Sequence, residues 1–262
     1  MIREGTMRKL SLFSGIGGID LAAKWAGIET AAFCEKEPFP QKVLRRHWPN
    51  TPIYDDVCTL TREVLEQDGI ITRNRTIDLI SAGYPCQGES YAGKRKGQAD
   101  DRWLWPEVAR LLQEIRPRWF IGENVAGHIT LGLDDVLSDL ESIGYDTQAI
   151  IIPACAVGAP HRRDRVFIIG FLPNSNSFRH QRTEQLRKNH EQVTKWGKST
   201  FRPITKLFDD TDWKERAMQS GFLGGNHGVP NRLDRIRGLG NAVVPYQVYP
   251  FLAAIKAIND QA

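Results

Sequence analysis

Little in this sequence ties it to a metal, a disulfide scaffold or a membrane. Its 262 residues include four cysteines, Cys34, Cys58, Cys86 and Cys155, and no two form a Cys-x-x-Cys pair. The histidines do not join them at zinc-ligand spacing. Scattered cysteines also argue against a disulfide framework and suit a reduced cytosol. No run approaches the roughly 20 apolar residues of a membrane helix. The opening Met1-Ile2-Arg3-Glu4-Gly5-Thr6-Met7 lacks the apolar core of a signal peptide, so a cytoplasmic protein without membrane attachment is expected. What is present is ordinary for a globular chain: 41% hydrophobic and 25% charged residues. The length suits one large α/β domain, or a domain with an insertion.

The net charge of +4 is unevenly placed. Thirteen Lys and Arg but seven Asp and Glu fall between Leu172 and Leu239, which leaves the remainder slightly acidic. Such a basic segment suits a polyanionic partner. A solvated, lysine-rich loop region would have the same composition.

From residue 8 to about 170, short apolar runs alternate with amphipathic ones. Strands are predicted at Arg8 to Phe13, Glu29 to Cys34, Ile77 to Ala82, Trp119 to Gly122, Gln148 to Ile152 and Arg165 to Phe171. Helices are predicted at Ile19 to Trp25, Phe39 to Trp48, Leu104 to Ile115 and Leu133 to Ile143. This β-α-β alternation predicts a mostly parallel sheet with helices on both faces. The pattern breaks after Phe171 into a polar stretch that could bury little core. Helical character returns at Val243 to Ile258. The expected divisions are an α/β domain over 1–171, a small basic region over 172–235, and a segment over 236–262 that returns to the domain.

Several runs carry chemistry. Gly83-Tyr84-Pro85-Cys86-Gln87-Gly88-Glu89-Ser90 places a cysteine in a Gly/Pro loop directly after an apolar strand, where a nucleophile would be presented. The first strand feeds Phe13-Ser14-Gly15-Ile16-Gly17-Gly18, a glycine turn that lets backbone pass close to a nucleotide-like ligand. It is neither Gly-x-Gly-x-x-Gly nor a phosphate loop, and a tight turn needing positive φ would read the same. Glu35, ending the second strand, could accept both hydroxyls of a ribose. Asp55-Asp56-Val57 offers a carboxylate for an adenine amine. Singly these acids read as surface charges; their order along the sheet is what an adenosine cofactor needs. Glu123-Asn124-Val125 puts an acid at the end of the strand beside that of Cys86, where a confined carboxyl could hold a proton. His161-Arg162-Arg163-Asp164-Arg165 is an arginine cluster entering a strand, or a set of surface ion pairs with Asp164.

Together these runs resemble the DNA cytosine-5 methyltransferase family. Phe13-x-Gly15-x-Gly17-Gly18 is similar to its cofactor loop, Pro85-Cys86-Gln87 to its nucleophile loop and Glu123-Asn124-Val125 to its acid motif. Arg163-x-Arg165 is similar to its arginine motif, and Gly240-Asn241-Ala242-Val243-Val244-Pro245 to its C-terminal motif. The five follow family order. The resemblance implies a Rossmann-like, S-adenosylmethionine-dependent methyltransferase sheet with a small irregular target-recognition insertion. It implies Cys86 as nucleophile, Glu123 as acid, and Arg163 and Arg165 as groups orienting the base. Phe13, Gly15, Gly17, Gly18, Glu35, Asp56, Val57, Pro85, Leu104, Asn241 and Ala242 would bind the cofactor. Gln87, Ser90 and Asn124, with the two arginines, would contact the substrate. Double-stranded DNA would be the substrate, held by basic residues such as Arg179, Arg182, Arg187 and Lys188. A monomer associated with the nucleoid, with a restriction endonuclease as its genetic partner, would follow.

Two positions depart from the family pattern: His161 stands where Gln is usual, and Trp103 where a small residue is common. Three other readings compete. The tRNA-directed branch of the family tends to carry Cys-Phe-Thr after the nucleophile, where this chain has Gly88-Glu89-Ser90. A non-catalytic relative would have lost the nucleophile or the acid. A nicotinamide-dependent dehydrogenase needs a third fingerprint glycine and has no use for Pro-Cys-Gln.

Overall fold

A computed structural model describes residues 6–85, 103–173 and 240–261. Chain order is β1 (Arg8–Leu12), α1 (Gly18–Trp25), β2 (Glu29–Cys34), α2 (Pro38–His47), β3 (Ile53–Tyr54), α3 (Arg62–Gln67) and β4 (Leu79–Ala82). After the undescribed residues 86–102 come α4 (Trp105–Ile115), β5 (Trp119–Val125), α5 (Leu133–Ile143), β6 (Asp146–Pro153) and β7 (Asp164–Phe171). The last element is α6 (Pro245–Asp260).

The seven strands form one sheet in the order β3-β2-β1-β4-β5-β7-β6. The first five are parallel, and β7 runs antiparallel between β5 and β6. The predicted α/β class therefore holds, with an antiparallel pair at one edge. The chain leaves β1 for β2 on one side and later returns to β4 on the other. This is a topological switch point, and the crevice beyond the carboxyl ends of β1 and β4 is the natural ligand site of such a sheet.

Helices cover both faces. On one, α4 buries Trp105, Val108, Leu111, Leu112 and Ile115, and α5 buries Leu133, Val136, Leu140 and Ile143, against Leu10, Ile80, Phe120 and Ile168. The spacing is that of one helical stripe. On the other face Ile19, Ala22 and Ala23 of α1 meet Val248, Leu252 and Ile255 of α6, over Leu79, Ile121 and Phe167. The C-terminal helix thus packs on the helix that follows the glycine loop.

The main difference from the sequence reading is β5, which runs to Val125, so Glu123 sits inside a strand instead of at its end. The cause is pairing. Contact with β4 stops at Ala82↔Gly122, whereas the antiparallel ladder with β7 continues through Glu123↔Phe167 to Val125↔Arg165. Glu123 therefore stands just beyond the end of β4, in the crevice. Smaller differences are at strand ends. β4 begins at Leu79, because Asp78 is engaged with Arg8 through its backbone and its carboxylate. The predicted recognition region, from residue 174 to 235, lies outside the described residues.

Candidate active site

The turn after β1 is built for close approach. Phe13 (φ 52), Gly15 (φ 55) and Gly17 (φ 85) all lie in the left-handed region. The Gly15 N–H donates to Glu35 Oε2 at 2.7 Å, while Glu35 Oε1 accepts from Glu37 N–H at 2.8 Å. A Cβ on Gly17 would meet the Trp48 ring at 2.7 Å. A Cβ on Gly18 would meet the carbonyl oxygen of Val243 at 2.6 Å. Gly18 thus lets the C-terminal segment lie directly on the loop, and Gly17 makes room for Trp48.

Above this turn is a cleft lined from β1 and its loop by Ser11 to Gly15, from α1 by Gly18 and Asp20, from the end of β4 by Gly83, from β5 by Glu123, and from the C-terminal segment by Asn241 to Val243. Its base is pinned by a buried network. Lys9 and Asp20 form a fully buried ion pair, and Asp20 also accepts from Ser11 and Thr30 hydroxyls at 3.2 Å each. Lys9 donates to Ser81 Oγ at 3.0 Å.

The wall beside Gly83 carries the charge. Glu123 Oε1 accepts from Arg165 Nε at 2.7 Å, both side chains being almost fully covered. They are diagonal neighbours on one face of the β5–β7 ladder. Burial pushes the Glu123 carboxyl up to about 7, against the opposing pull of Arg165 and then Arg163. A Cβ on Gly83 would lie 3.4 Å from Glu123 Oε2, so the chain heading for Cys86 passes this carboxyl. Asn124 Nδ2 donates to the Tyr84 carbonyl at 3.3 Å, tying that same chain to β5. The Tyr84 hydroxyl in turn bonds Nε2 of the buried His128 at 2.9 Å, and burial pushes that imidazole down to about 4.

Arg163 does something different from Arg165. Its φ of 34 is left-handed. Its Nη2 donates to the carbonyls of Gly240 and Ala242, at 2.7 Å each. In this state its fork holds the C-terminal motif.

Of the expected site residues, Phe13, Gly15, Gly18, Glu123, Asn241 and Ala242 line one cleft. Glu35 backs it through Gly15. Asp56 and Val57 stand after β3 and do not line it; Asp56 accepts from Cys58 N–H, and Val57 is in the core. Leu104 packs beside the core at the start of α4. Pro85 is the last described residue of its segment; Cys86, Gln87, Ser90 and the basic residues from Arg179 to Lys188 lie outside the described residues. Of the other cysteines, Cys34 is buried and pushed up to about 12, with burial the first cause, so it offers no thiolate. Sequence reasoning missed Ser11, Asp20, Gly83 and Val243. Gly83 and Val243 stand inside quoted motifs without having been singled out, and Asp20 had a physical signal: Lys9 lies amid an apolar strand and needs a buried counter-charge.

A left-handed glycine turn whose Gly18 has no room for a side chain, an aromatic at its edge, a buried carboxylate behind it and a second carboxyl on the wall fit an adenosine joined to an amino acid. A model of C-5 cytosine-specific DNA methylases matches residues 7–227. The chain belongs to that family. It is 34% identical over 175 residues to the type II methyltransferase M.AquIA of Picosynechococcus sp., covering 62% of this chain and 70% of that one. It is also 34% identical to M2.BsuMI of Bacillus subtilis, over 63% of this chain and 42% of the other. Among solved structures, a protein described as a prophage-encoded DNA modification methyltransferase (E. coli) matches with TM-score 0.55 and 28% identity, over 64% of this chain and 47% of that one. The matches thus span less than half of these last two proteins. S-adenosylmethionine is the cofactor of C-5 cytosine methylases, and the cleft suits it.

Proposed function

We propose that this C-5 cytosine methylase transfers a methyl group from S-adenosylmethionine to C5 of a flipped-out cytosine in double-stranded DNA, through a covalent bond from Cys86 to C6. The observation that carries this reading is the Glu123–Arg165 pair. Its Glu123 lines the glycine-loop cleft, against the chain that reaches Cys86 one residue after Pro85.

When bound, S-adenosylmethionine supplies an electrophilic methyl group on a sulfonium sulfur. The residues of this chain handle the base. Cytosine C5 is a weak nucleophile until a thiolate adds at C6 and turns the ring into an enamine. Cys86 forms that bond, after losing a proton from a thiol whose ordinary pKa is about 8.5. Glu123, still protonated near neutrality, gives a proton to ring N3 as charge builds there. Arg165 orients Glu123 and faces the base oxygen. Loss of the C5 proton and expulsion of the Cys86 thiolate then return the aromatic ring, with the N3 proton going back to Glu123. The cytosine must leave the stack to reach this site, at a cost of about a few kcal/mol. Gln87 and Ser90 fill the vacated place or hold the neighbouring phosphate, and the basic residues beyond 172 hold the backbone. The protein acts as a monomer in the cytoplasm, at the nucleoid, with a restriction endonuclease as genetic partner.

Cys86→Ser tests the chemistry. It should abolish methylation of duplex DNA, read by bisulfite sequencing, while S-adenosylmethionine binding persists. DNA carrying 5-fluorocytosine should be trapped covalently by the parent and not by the variant. Methylation by Cys86→Ser, or no adduct with active parent, would overturn the thiolate route.

A further inference from the structure

Gln247 is fully buried in the first turn of α6. Its amide spans two elements: Nε2 donates to the Ile152 carbonyl on β6 at 2.7 Å and to the Arg163 carbonyl at 3.1 Å. Two carbonyls on one nitrogen fix the orientation of the amide. Among the described residues nothing donates to its Oε1, so those two bonds are the polar contacts that hold it. Arg163 in turn holds the carbonyls of Gly240 and Ala242, as described above. The result is a reciprocal clasp. The side chain of Arg163 grips the segment just before α6, and a side chain from α6 grips the backbone of Arg163. That backbone lies in the left-handed region, where a non-glycine residue needs outside support.

The segment held in this way is one wall of the cleft, Asn241 to Val243. Its placement is tight, since Val243 O occupies the space a Gly18 side chain would need. The wall is a short segment ahead of α6, and its position depends on what fastens it. We propose that Gln247 is a positioning residue for the cofactor, acting through Arg163 to hold the C-terminal wall of the cleft. This rests on the methyl-donor reading of that cleft. Gln247 touches neither the base nor the Glu123–Arg165 pair, so the chemical step on a saturated enzyme is not its task.

The test is Gln247→Met, which keeps length and removes both donors. Calorimetric titration with S-adenosylmethionine and with S-adenosylhomocysteine should show dissociation constants raised about tenfold or more. At saturating cofactor, kcat and the KM for DNA should stay within about threefold of parent. The double variant with Arg163→Met should lose less affinity than the two single losses multiplied together, as expected of one shared clasp. Parental affinity in Gln247→Met would overturn the inference, as would a fall in kcat with affinity unchanged. If the variant does not fold, hydrogen exchange on the parent decides: cofactor must slow exchange of amides 240–247, and unchanged exchange there overturns the inference. A parent that binds neither ligand would instead refute the methyl-donor reading itself.

Discussion

The proton on Glu123 makes folding stability depend on pH in a way that one substitution isolates. An unfolded glutamate is ionised above about 4.5, whereas burial keeps Glu123 protonated up to about 7. Between those values the folded protein binds one proton more than the unfolded chain. Stability therefore falls with rising pH, by about 1.4 kcal/mol per pH unit, to a total of about 3 kcal/mol. The contribution is complete below pH 4.5 and lost as pH passes 7. His128 works in the opposite direction. Its imidazole, pushed down to about 4, adds stability above pH 6.5 that is lost as pH falls through 4. The pH profile of the parent alone would mix the two slopes.

Glu123→Gln separates them. It keeps the shape and an acceptor for Arg165 but does not titrate, while His128 is common to both proteins and cancels in the difference. Urea unfolding of parent and variant without cofactor, from pH 4.5 to 8, should give a stability difference that shifts by about 3 kcal/mol. The shift should be against the parent, and most of it should fall between pH 5 and 7. A difference that does not vary with pH would show that Glu123 is ionised throughout. It would also remove the proton that N3 of the cytosine needs.

Two further substitutions test the frame of the cleft. Gly18→Ala drives a methyl group into Val243 O, a backbone atom at 2.6 Å, so the C-terminal wall must move. Cofactor affinity should fall at least about tenfold with a stability loss of about 1–3 kcal/mol, and calorimetric titration with urea unfolding checks both; parental affinity would contradict the wall's role. Lys9→Met leaves the Asp20 carboxylate buried without its counter-charge and should cost about 3–5 kcal/mol. Adding Asp20→Leu should recover a large part of that loss, and urea unfolding of the double variant showing no recovery would refute the pair's role.

The parallel half of the sheet was legible because its runs are short, apolar and separated by helix-length amphipathic stretches. Arg8–Leu12 and Leu79–Ala82 are buried throughout, as strands covered on both faces must be. The position of β7 was not legible. Periodicity marks Asp164–Phe171 as a strand but does not say that it lies between β5 and β6. That placement lengthens β5 and puts Glu123 inside it, so the acid was found by its motif and misplaced in its element. The two arginines show the same limit. Arg163 and Arg165 share one motif, yet one meets a carboxylate on the neighbouring strand and the other meets carbonyls 77 and 79 residues away. Strand alternation would put both on one face, but Arg163 stands just before β7 with a left-handed φ and meets the returning C-terminal segment.

The two sides of the cleft differ in what it takes to move them. The base joins β1, β2, β4 and α1 through Lys9, Asp20, Ser11, Thr30 and Ser81, all of them buried. Breaking a buried ion pair costs about 3–5 kcal/mol. The opposite wall is held to Arg163 by charge-assisted bonds to two carbonyls and through Gln247 by neutral ones. These are worth about 1.5–3 and 0.5–1.5 kcal/mol each, and the Arg163–Gly240 bond lies exposed to water. The Arg163–Gly240 bond is thus the fastening that water reaches, whereas every member of the base network is covered.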